Sequence, residues 1–189
     1  MTGNVAIVSW FKGISHMTRQ MSLVDKTIGV YHFLFDKKPA RVPVLLPKPR
    51  VMNPWCRDNR ALVAKVQAEG DLRRALMKVI SQLGALPQVI GRGDRVLVKP
   101  NFNSPDPFPG STDLKFLRVV VEMLLEIGAI VTVGESAGAI WRPSRNVFRK
   151  LGAYQLAQEL GVELVAFEDK TADWVTIKIN GDYLSAVTM

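Results

Sequence analysis

The chain has one cysteine, two histidines and no long apolar run, and each scarcity excludes a class of protein. Cys56 alone cannot form an intrachain disulfide or hold an iron–sulfur cluster, so we expect a reducing compartment and no cluster ligated by this chain alone. With only His16 and His32 besides, no metal site is predicted. No apolar run reaches the ~18 residues of a membrane span, and the first residues do not resemble a secretory signal. We therefore expect a cytoplasmic protein, and peripheral attachment to a membrane stays open.

Positive charge is concentrated at the start of the chain. The net charge is +8, and residues 1–60 hold ten Lys or Arg against three Asp or Glu. The remaining residues hold fifteen basic against fourteen acidic side chains, so the body is nearly neutral. No interleaved aromatic platform or known binding motif accompanies the basic residues. Nucleic acid is therefore not favoured as a partner.

Residues 4–35 carry the strongest periodicity in the sequence. Apolar side chains recur at steps of three and four residues, which predicts an amphipathic helix or two, with a break expected near Gly29. Three covers for this apolar stripe are open: the body of the protein, a partner subunit, or a membrane surface. The stripe consists of Ile7, Trp10, Ile14, Met17, Met21, Val24, Ile28, Tyr31 and Phe35.

Residues 36–59 change abruptly to a proline-rich composition. Five prolines, at positions 39, 43, 47, 49 and 54, remove backbone donors and disfavour helix, so an extended strap is predicted. Its apolar residues indicate that the strap lies along a surface. We predict that residues 1–59 form an N-terminal region that contacts a protein partner or a membrane through residues 4–55.

Residues 60–189 alternate between strand and helix patterns. Strands are predicted at 61–66, 95–98, 129–136 and 162–167, with helices at 71–83, from about 112 to 127, and at 144–160. This order predicts an α/β domain with a mostly parallel, Rossmann-like sheet and flanking helices. Residues 174–179 alternate in polarity, so this strand is expected to be antiparallel or at an edge.

Polar residues follow two of these strands, where open α/β sheets bind ligands. A lysine, an amide and a helix N-terminus suit an anionic small molecule, such as a phosphate or carboxylate. Glu135 is expected to orient Lys99 or to act as a base. The alternative is structural, with Lys99 solvated and Ser111 or Thr112 capping the helix. The predicted ligand-binding residues are Lys99, Asn101, Ser111, Thr112, Asp113, Glu135 and Ser136.

Two nearby arginines, Arg142 and Arg145, could add contacts to an anion, but a solvated loop charge is the preferred interpretation. The segment GESAG (134–138) lacks the spacing of a dinucleotide fingerprint. No phosphate-binding P-loop, G-x-S-x-G elbow or H-E-x-x-H motif is present. No reaction follows from these residues, so whether the protein is an enzyme stays open.

Four stretches carry a resemblance to a known family: GDRVLVKPNFN, the STD that opens a helix, LLEIGAIVTVGES, and FRKLGAYQLAQELGVELVAFED. Over about residues 60–189 the chain resembles the first half of the family called domain of unknown function 362. The resemblance implies that Lys99, Pro100, Asn101, Thr112, Asp113, Glu135 and Ser136 are motif positions, without a settled reaction.

The resemblance also implies a link to iron–sulfur redox metabolism, because many members carry added Cys-rich ferredoxin segments. This chain has no such segment. Members also continue beyond the equivalent of Met189 with a further strand, an acidic strand end and a lysine–histidine segment. The chain is therefore expected to be a truncated product, a fragment completed by a second polypeptide, or a remnant kept for binding.

Two functions are carried forward from the sequence. The first is an α/β domain that binds an anionic small molecule or cofactor at strand ends, in redox metabolism. The second is a non-catalytic accessory subunit that uses its N-terminal region to dock on a larger complex or a membrane.

Overall fold

The structure, a computed structural model, describes residues 22–35, 42–46, 54–58, 60–84, 89–169, 174–178 and 186–188. Contacts divide these residues into two compact units. The first unit holds residues 22–35, 97–117 and 132–169, and the second holds the other described residues. The division into domains 1–59 and 60–189 stays a prediction. The part of the apolar stripe before residue 22 lies outside the described residues.

Helices and strands are interleaved, which confirms the predicted α/β class. The described helices are α1 (Leu23–Phe35), α2 (Leu72–Gln82), α3 (Leu114–Ile127), α4 (Ser144–Leu151) and α5 (Ala153–Leu160). The described strands are β1 (Val44–Leu45), β2 (Cys56–Arg57), β3 (Arg60–Ala61), β4 (Arg95–Val98), β5 (Ile130–Glu135), β6 (Glu163–Ala166), β7 (Thr176–Lys178) and β8 (Ala186–Thr188).

One three-stranded sheet, ordered β4-β5-β6, carries the predicted strand ends. Strand β5 pairs in parallel with β6, and Glu135 stands opposite Ala166 in the register. Helix α3 connects β4 to β5, while α4 and α5 connect β5 to β6. Such helical crossovers are what parallel neighbours require. The predicted strands 95–98, 129–136 and 162–167 are confirmed to within a residue or so.

The core of the first unit lies beneath these strand ends. The rings of Phe102 and Phe148 meet edge to face, with centroids 5.9 Å apart. Both rings are fully buried. The other buried apolar residues of this unit lie on α3, on β5 and the loop that follows it, and on α4, α5 and β6. Those residues are Leu117, Val133, Ala137, Trp141, Val147, Ala153, Leu156, Ala157 and Ala166.

The single helix predicted over 144–160 is wrong, because the chain forms two helices. Gly152 separates α4 from α5 with φ of +80°, a left-handed conformation that side chains rarely adopt. Its N–H donates to the carbonyl of Arg149, which closes α4 as a glycine C-terminus does. Hydrophobic spacing continues across the glycine, so the periodicity alone concealed the break.

Helix α1 packs against the 3₁₀ turn Ala139–Trp141 in the first unit. The contact is made at Gly29, where an added Cβ would collide with the carbonyl oxygen of Ile140. The expected break near Gly29 is therefore wrong, since the helix continues through it. Asp25 adds polar contacts to α4, accepting from Asn146 at 3.2 Å and lying 3.8 Å from Lys150.

Much of the described apolar stripe is exposed on α1. Val24, Tyr31 and Phe35 have 58–67% of their surface accessible, and Ile28 has 37%. Leu23 and Leu34 add further exposed apolar surface. Contact with the body of the protein is therefore made around Gly29 rather than along the full stripe.

In the second unit, the predicted helix over 71–83 is confirmed as α2. The Asp71 carboxylate accepts the N–H of Arg74 at 2.9 Å, the N-terminal cap predicted for this residue. Trp55 donates from its indole Nε1 to the carbonyl of Leu83 at 2.9 Å, close to the other end of the helix.

The predicted strand over 61–66 is wrong beyond its first residue. Strand β3 ends at Ala61, and β3 pairs antiparallel only with β2. Residues 62–67 alternate between half-buried and exposed but belong to no strand within the described ranges. The exposure pattern is therefore that of a strand, but no paired strand accompanies it among the described residues.

A second three-stranded sheet has the order β1-β7-β8. Strand β7 pairs antiparallel with β8, as predicted, and in parallel with β1. Of the two arrangements expected, antiparallel or at an edge, the first is therefore the one observed, because residues 43–45 supply a neighbour on the other side. None of the helices in the described ranges is both long enough and apolar enough to cross a membrane.

Candidate functional site

Lys99 and Glu135 meet at the ends of β4 and β5. The Lys99 Nζ lies 2.7 Å from the Glu135 Oε2. The carboxylate side chain is 5% exposed, whereas the lysine side chain is 59% exposed. An ammonium has three donors, and this bond occupies one of them. A buried anchor thus holds an accessible positive charge.

Both oxygens of Glu135 are engaged. While Oε2 faces Lys99, Oε1 accepts the backbone N–H of Ser136 at 2.7 Å. The two bonds fix the carboxylate plane at the strand end. This geometry is the one expected if Glu135 orients Lys99, and its role as an orienting residue or as a base stays a prediction.

Arg142 joins this group, although the sequence suggested a solvated loop charge. Its Nη2 donates to the Ser136 Oγ at 3.0 Å, and its Nε donates to the carbonyl of Ala137 at 3.3 Å. The side chain is half-buried against the loop that follows β5. The interpretation of Arg142 as a solvated charge is therefore wrong, because the loop turns back on its own start.

Asn101 and Thr112 hold together the two ends of the loop 102–111, which has prolines at positions 105, 107 and 109. The N–H of Asn101 donates to the Thr112 Oγ1 at 2.8 Å, and the Thr112 N–H donates to the Asn101 carbonyl at 2.9 Å. The Asn101 side chain donates to the carbonyl of Gly110 at 3.4 Å. These contacts close the loop beside Lys99.

Ser111 and Asp113 also have structural partners. Ser111 is buried, and its Oγ donates to the carbonyl of Ser104 at 3.0 Å. The Asp113 Oδ1 accepts the N–H of Lys115 at 2.7 Å and caps α3. The expectation that Ser111 or Thr112 caps this helix is wrong. Because a carboxylate already occupies the helix start, that end offers less to an anion than predicted.

The predicted residues thus separate into two groups. Lys99, Glu135 and Ser136 come together with Arg142 through direct bonds. Asn101, Ser111, Thr112 and Asp113 build the loop and helix start next to Lys99. Their role in ligand binding stays a prediction.

Two acidic residues after β6 were missed by the sequence reasoning. The Glu168 Oε1 accepts the N–H of Ser144 at 2.6 Å, and the Ser144 Oγ accepts the N–H of Ala137 at 2.6 Å. Asp169 forms a two-bond ion pair with Arg145, at 2.7 and 2.9 Å. The hydrogen bonds and charge of Asp169 raise the pKa of Arg145 above its usual value. Glu168 and Asp169 stand directly after a predicted strand, a signal that could have found them.

Within the described residues, no three His, Cys, Asp or Glu side chains are grouped to hold a metal ion. A groove of about 390 Å³ lies in the second unit. Its lining includes the basic side chains of Lys65, Arg74 and Lys78. The other lining residues are Val66, Gln67, Glu69, Asp71, Ala75 and Gln82. The groove is therefore distinct from the strand ends.

Comparison with known proteins gives one match. Residues 96–189 match the model of a family described as Domain of unknown function (DUF362). No curated protein and no solved structure matches the chain significantly. The match begins at Val96, so the residues from 60 to 95 that the resemblance included lie outside it. Over residues 96–189, where Lys99, Glu135 and Arg142 stand, this chain belongs to the DUF362 family.

Proposed function

We propose that this domain binds a small molecule through a phosphate or carboxylate group at the ends of β4 and β5. Lys99 supplies the positive charge, and Ser136 and Arg142 supply further donors. The single observation that carries the proposal is the exposed Lys99 ammonium held at 2.7 Å by a buried carboxylate. The buried carboxylate holds this ammonium at the strand end, where it stays accessible to a ligand.

The donor set matches the chemistry of an anion. Lysine is a point charge with donors to spare, and the arginine guanidinium offers a planar set of N–H groups suited to phosphate and carboxylate. Bonds from Nε and Nη2 hold Arg142 within the loop, and its positive charge is proposed to face the ligand. Glu135 and the Ser136 amide fix the geometry before the ligand arrives, which lowers the cost of binding.

The family extends this proposal to a compartment and a class of metabolism. Iron–sulfur redox metabolism is the context that the resemblance implies, and one cysteine in 189 residues suits a reducing cytoplasm. The ligand is then an anionic metabolite or cofactor of that metabolism. Binding, rather than a particular reaction, is the function proposed.

Calorimetric titration with inorganic phosphate tests the site. Lys99→Met keeps the aliphatic stem and removes the charge, so we expect phosphate affinity to fall roughly tenfold or more, the value of one charged hydrogen bond. Lys78→Met is the matched control, because Lys78 lines the groove of the second unit. Unchanged affinity in Lys99→Met would reject the site. A loss confined to Lys78→Met would move the anion to the groove.

A second candidate function, an accessory subunit, is favoured by α1. Leu23, Leu34 and Phe35 expose 58–80% of their surface on this helix. Lys26 and His32 are the basic residues of the helix, and Asp25 offsets one charge. This weakly basic surface favours a protein partner over an anionic membrane, to which several Lys or Arg would be needed.

A further inference from the structure

Helix α4 lacks a capping side chain of its own. Pro143 precedes Ser144 and makes no side-chain cap. The free N–H of Ser144 is instead satisfied from a distant part of the chain, by the Glu168 Oε1 at 2.6 Å. A carboxylate at this end of a helix is stabilised by the partial positive charge of the unpaired N–H groups.

Ser144 connects Glu168 to the candidate site by a second hydrogen bond. Ser144 is fully buried, and its Oγ accepts the N–H of Ala137 at 2.6 Å. Ala137 directly follows Ser136, and its carbonyl accepts a bond from Arg142. Glu168 is thus two hydrogen bonds from the backbone that carries the Ser136 hydroxyl.

The second oxygen of Glu168 lowers the stability of the folded protein. Oε2 is buried and has no hydrogen-bond partner within the described residues. A buried acceptor without a hydrogen bond destabilises the fold. If this position served only packing, an apolar side chain would give a more stable protein. The bond to Ser144 is the described contact that a carboxylate makes here and an apolar side chain cannot.

We infer that Glu168, acting through Ser144, is a positioning residue of the anion site, a role that rests on the function proposed above. It fixes the backbone at Ala137, and that backbone sets the direction of the Ser136 hydroxyl and the Arg142 guanidinium. Glu168 itself does not touch the anion.

The sign of a mutational effect separates positioning from simple electrostatics. Removing a carboxylate from the neighbourhood of an anion strengthens binding if only charge matters. We expect the opposite for Glu168→Ala, a several-fold loss of phosphate affinity in calorimetry. Glu168→Gln retains an acceptor for the Ser144 N–H and should keep most of the affinity. Asp169→Ala removes a neighbouring charge paired with Arg145 and should leave the affinity unchanged or slightly higher.

Amide hydrogen exchange supplies a direct readout. In Glu168→Ala the N–H of Ala137 should exchange faster, while the amides of α5 keep their protection. Ser144→Ala removes only the hydroxyl and should reproduce both effects, which keeps the test decisive if Glu168→Ala fails to fold. Unchanged or tighter phosphate binding in Ser144→Ala or Glu168→Ala would overturn the inference. If Lys99→Met also binds phosphate normally, the anion site itself is rejected, so the two failures are distinguishable.

Discussion

At the scale of single residues, Lys99 and Glu135 are unequal partners. The carboxylate is buried and the ammonium is exposed, so the carboxylate depends on the pair more than the lysine does. Removing the lysine leaves a buried charge with one remaining hydrogen bond, from Ser136. The cost of such a change is the desolvation of the charge left behind, rather than the value of the contact itself.

We therefore expect Lys99→Met to lower the free energy of unfolding by roughly 1–3 kcal/mol. Adding Glu135→Gln should restore part of that loss, because the buried group is then neutral. Urea unfolding of the two single variants and the double variant measures the coupling. Additive effects would contradict the pair as described.

Residue roles were predictable only in part, and the reason is physical. Lys99 and Glu135 could be placed because Lys99 directly follows β4 and Glu135 is the last residue of β5. The hydroxyls of Ser111 and Thr112 could not be assigned, since a side chain that meets a ligand and one that bonds a nearby backbone look alike in sequence. Glu168 meets Ser144 across 24 residues, a separation fixed by the sheet register and not by local pattern.

At the scale of elements, Gly29 shows a local preference overruled by packing. In an isolated helix, glycine is less favourable than alanine by ~1 kcal/mol. Here the missing side chain lets α1 approach the carbonyl of Ile140. For Gly29→Ala, helix propensity therefore predicts a more stable protein, whereas the contact with Ile140 predicts a less stable one.

We expect Gly29→Ala to destabilise the protein by about 1–3 kcal/mol, the usual cost of forcing atoms into a packed contact. Val30→Ala is the control, because Val30 is exposed on the same helix. Thermal unfolding compares the two variants. A stabilised Gly29→Ala would mean that helix propensity dominates and that the α1 contact is unimportant.

The elements that the sequence predicted well are those whose pattern and neighbours agree. Strand β5 is a buried apolar run inside its sheet, and α2 has a capping aspartate at its first turn. Residues 62–67 alternate in exposure but have no paired strand among the described residues, so the prediction of a strand failed there. Periodicity reports which face is covered, whereas strand formation requires a hydrogen-bonded partner.

At the scale of the molecule, the candidate site depends on three separated stretches of chain. Residues 22–35, 97–117 and 132–169 form one compact unit. Helix α1 comes from residues 1–59, which were predicted to form a separate N-terminal region, yet it packs on the turn just before Arg142. Helix α1 and the strand ends therefore belong to the same compact unit.

Deleting residues 1–35 should consequently affect both proposed functions. Phosphate affinity should fall several-fold, because the turn Ala139–Trp141 loses its cover and Arg142 loses its fixed position. Association with a protein partner in cell extracts, read by co-sedimentation, should fall as well. Calorimetry measures the phosphate affinity of the deletion protein. A cooperative thermal transition of the same protein shows that it is still folded. Full phosphate affinity would show that α1 is irrelevant to the site.

The Gly29 contact has a thermodynamic consequence for regulation. Consider a molecule that binds α1 more tightly when α1 is packed on the turn Ala139–Trp141. Such a molecule must change the affinity of the strand ends for phosphate. Phosphate must then change the affinity of α1 for that molecule by the same factor, because coupling free energies are reciprocal. Through the contact of Gly29 with the Ile140 carbonyl oxygen, binding of phosphate at the site would therefore alter how strongly the exposed helix α1 binds a partner.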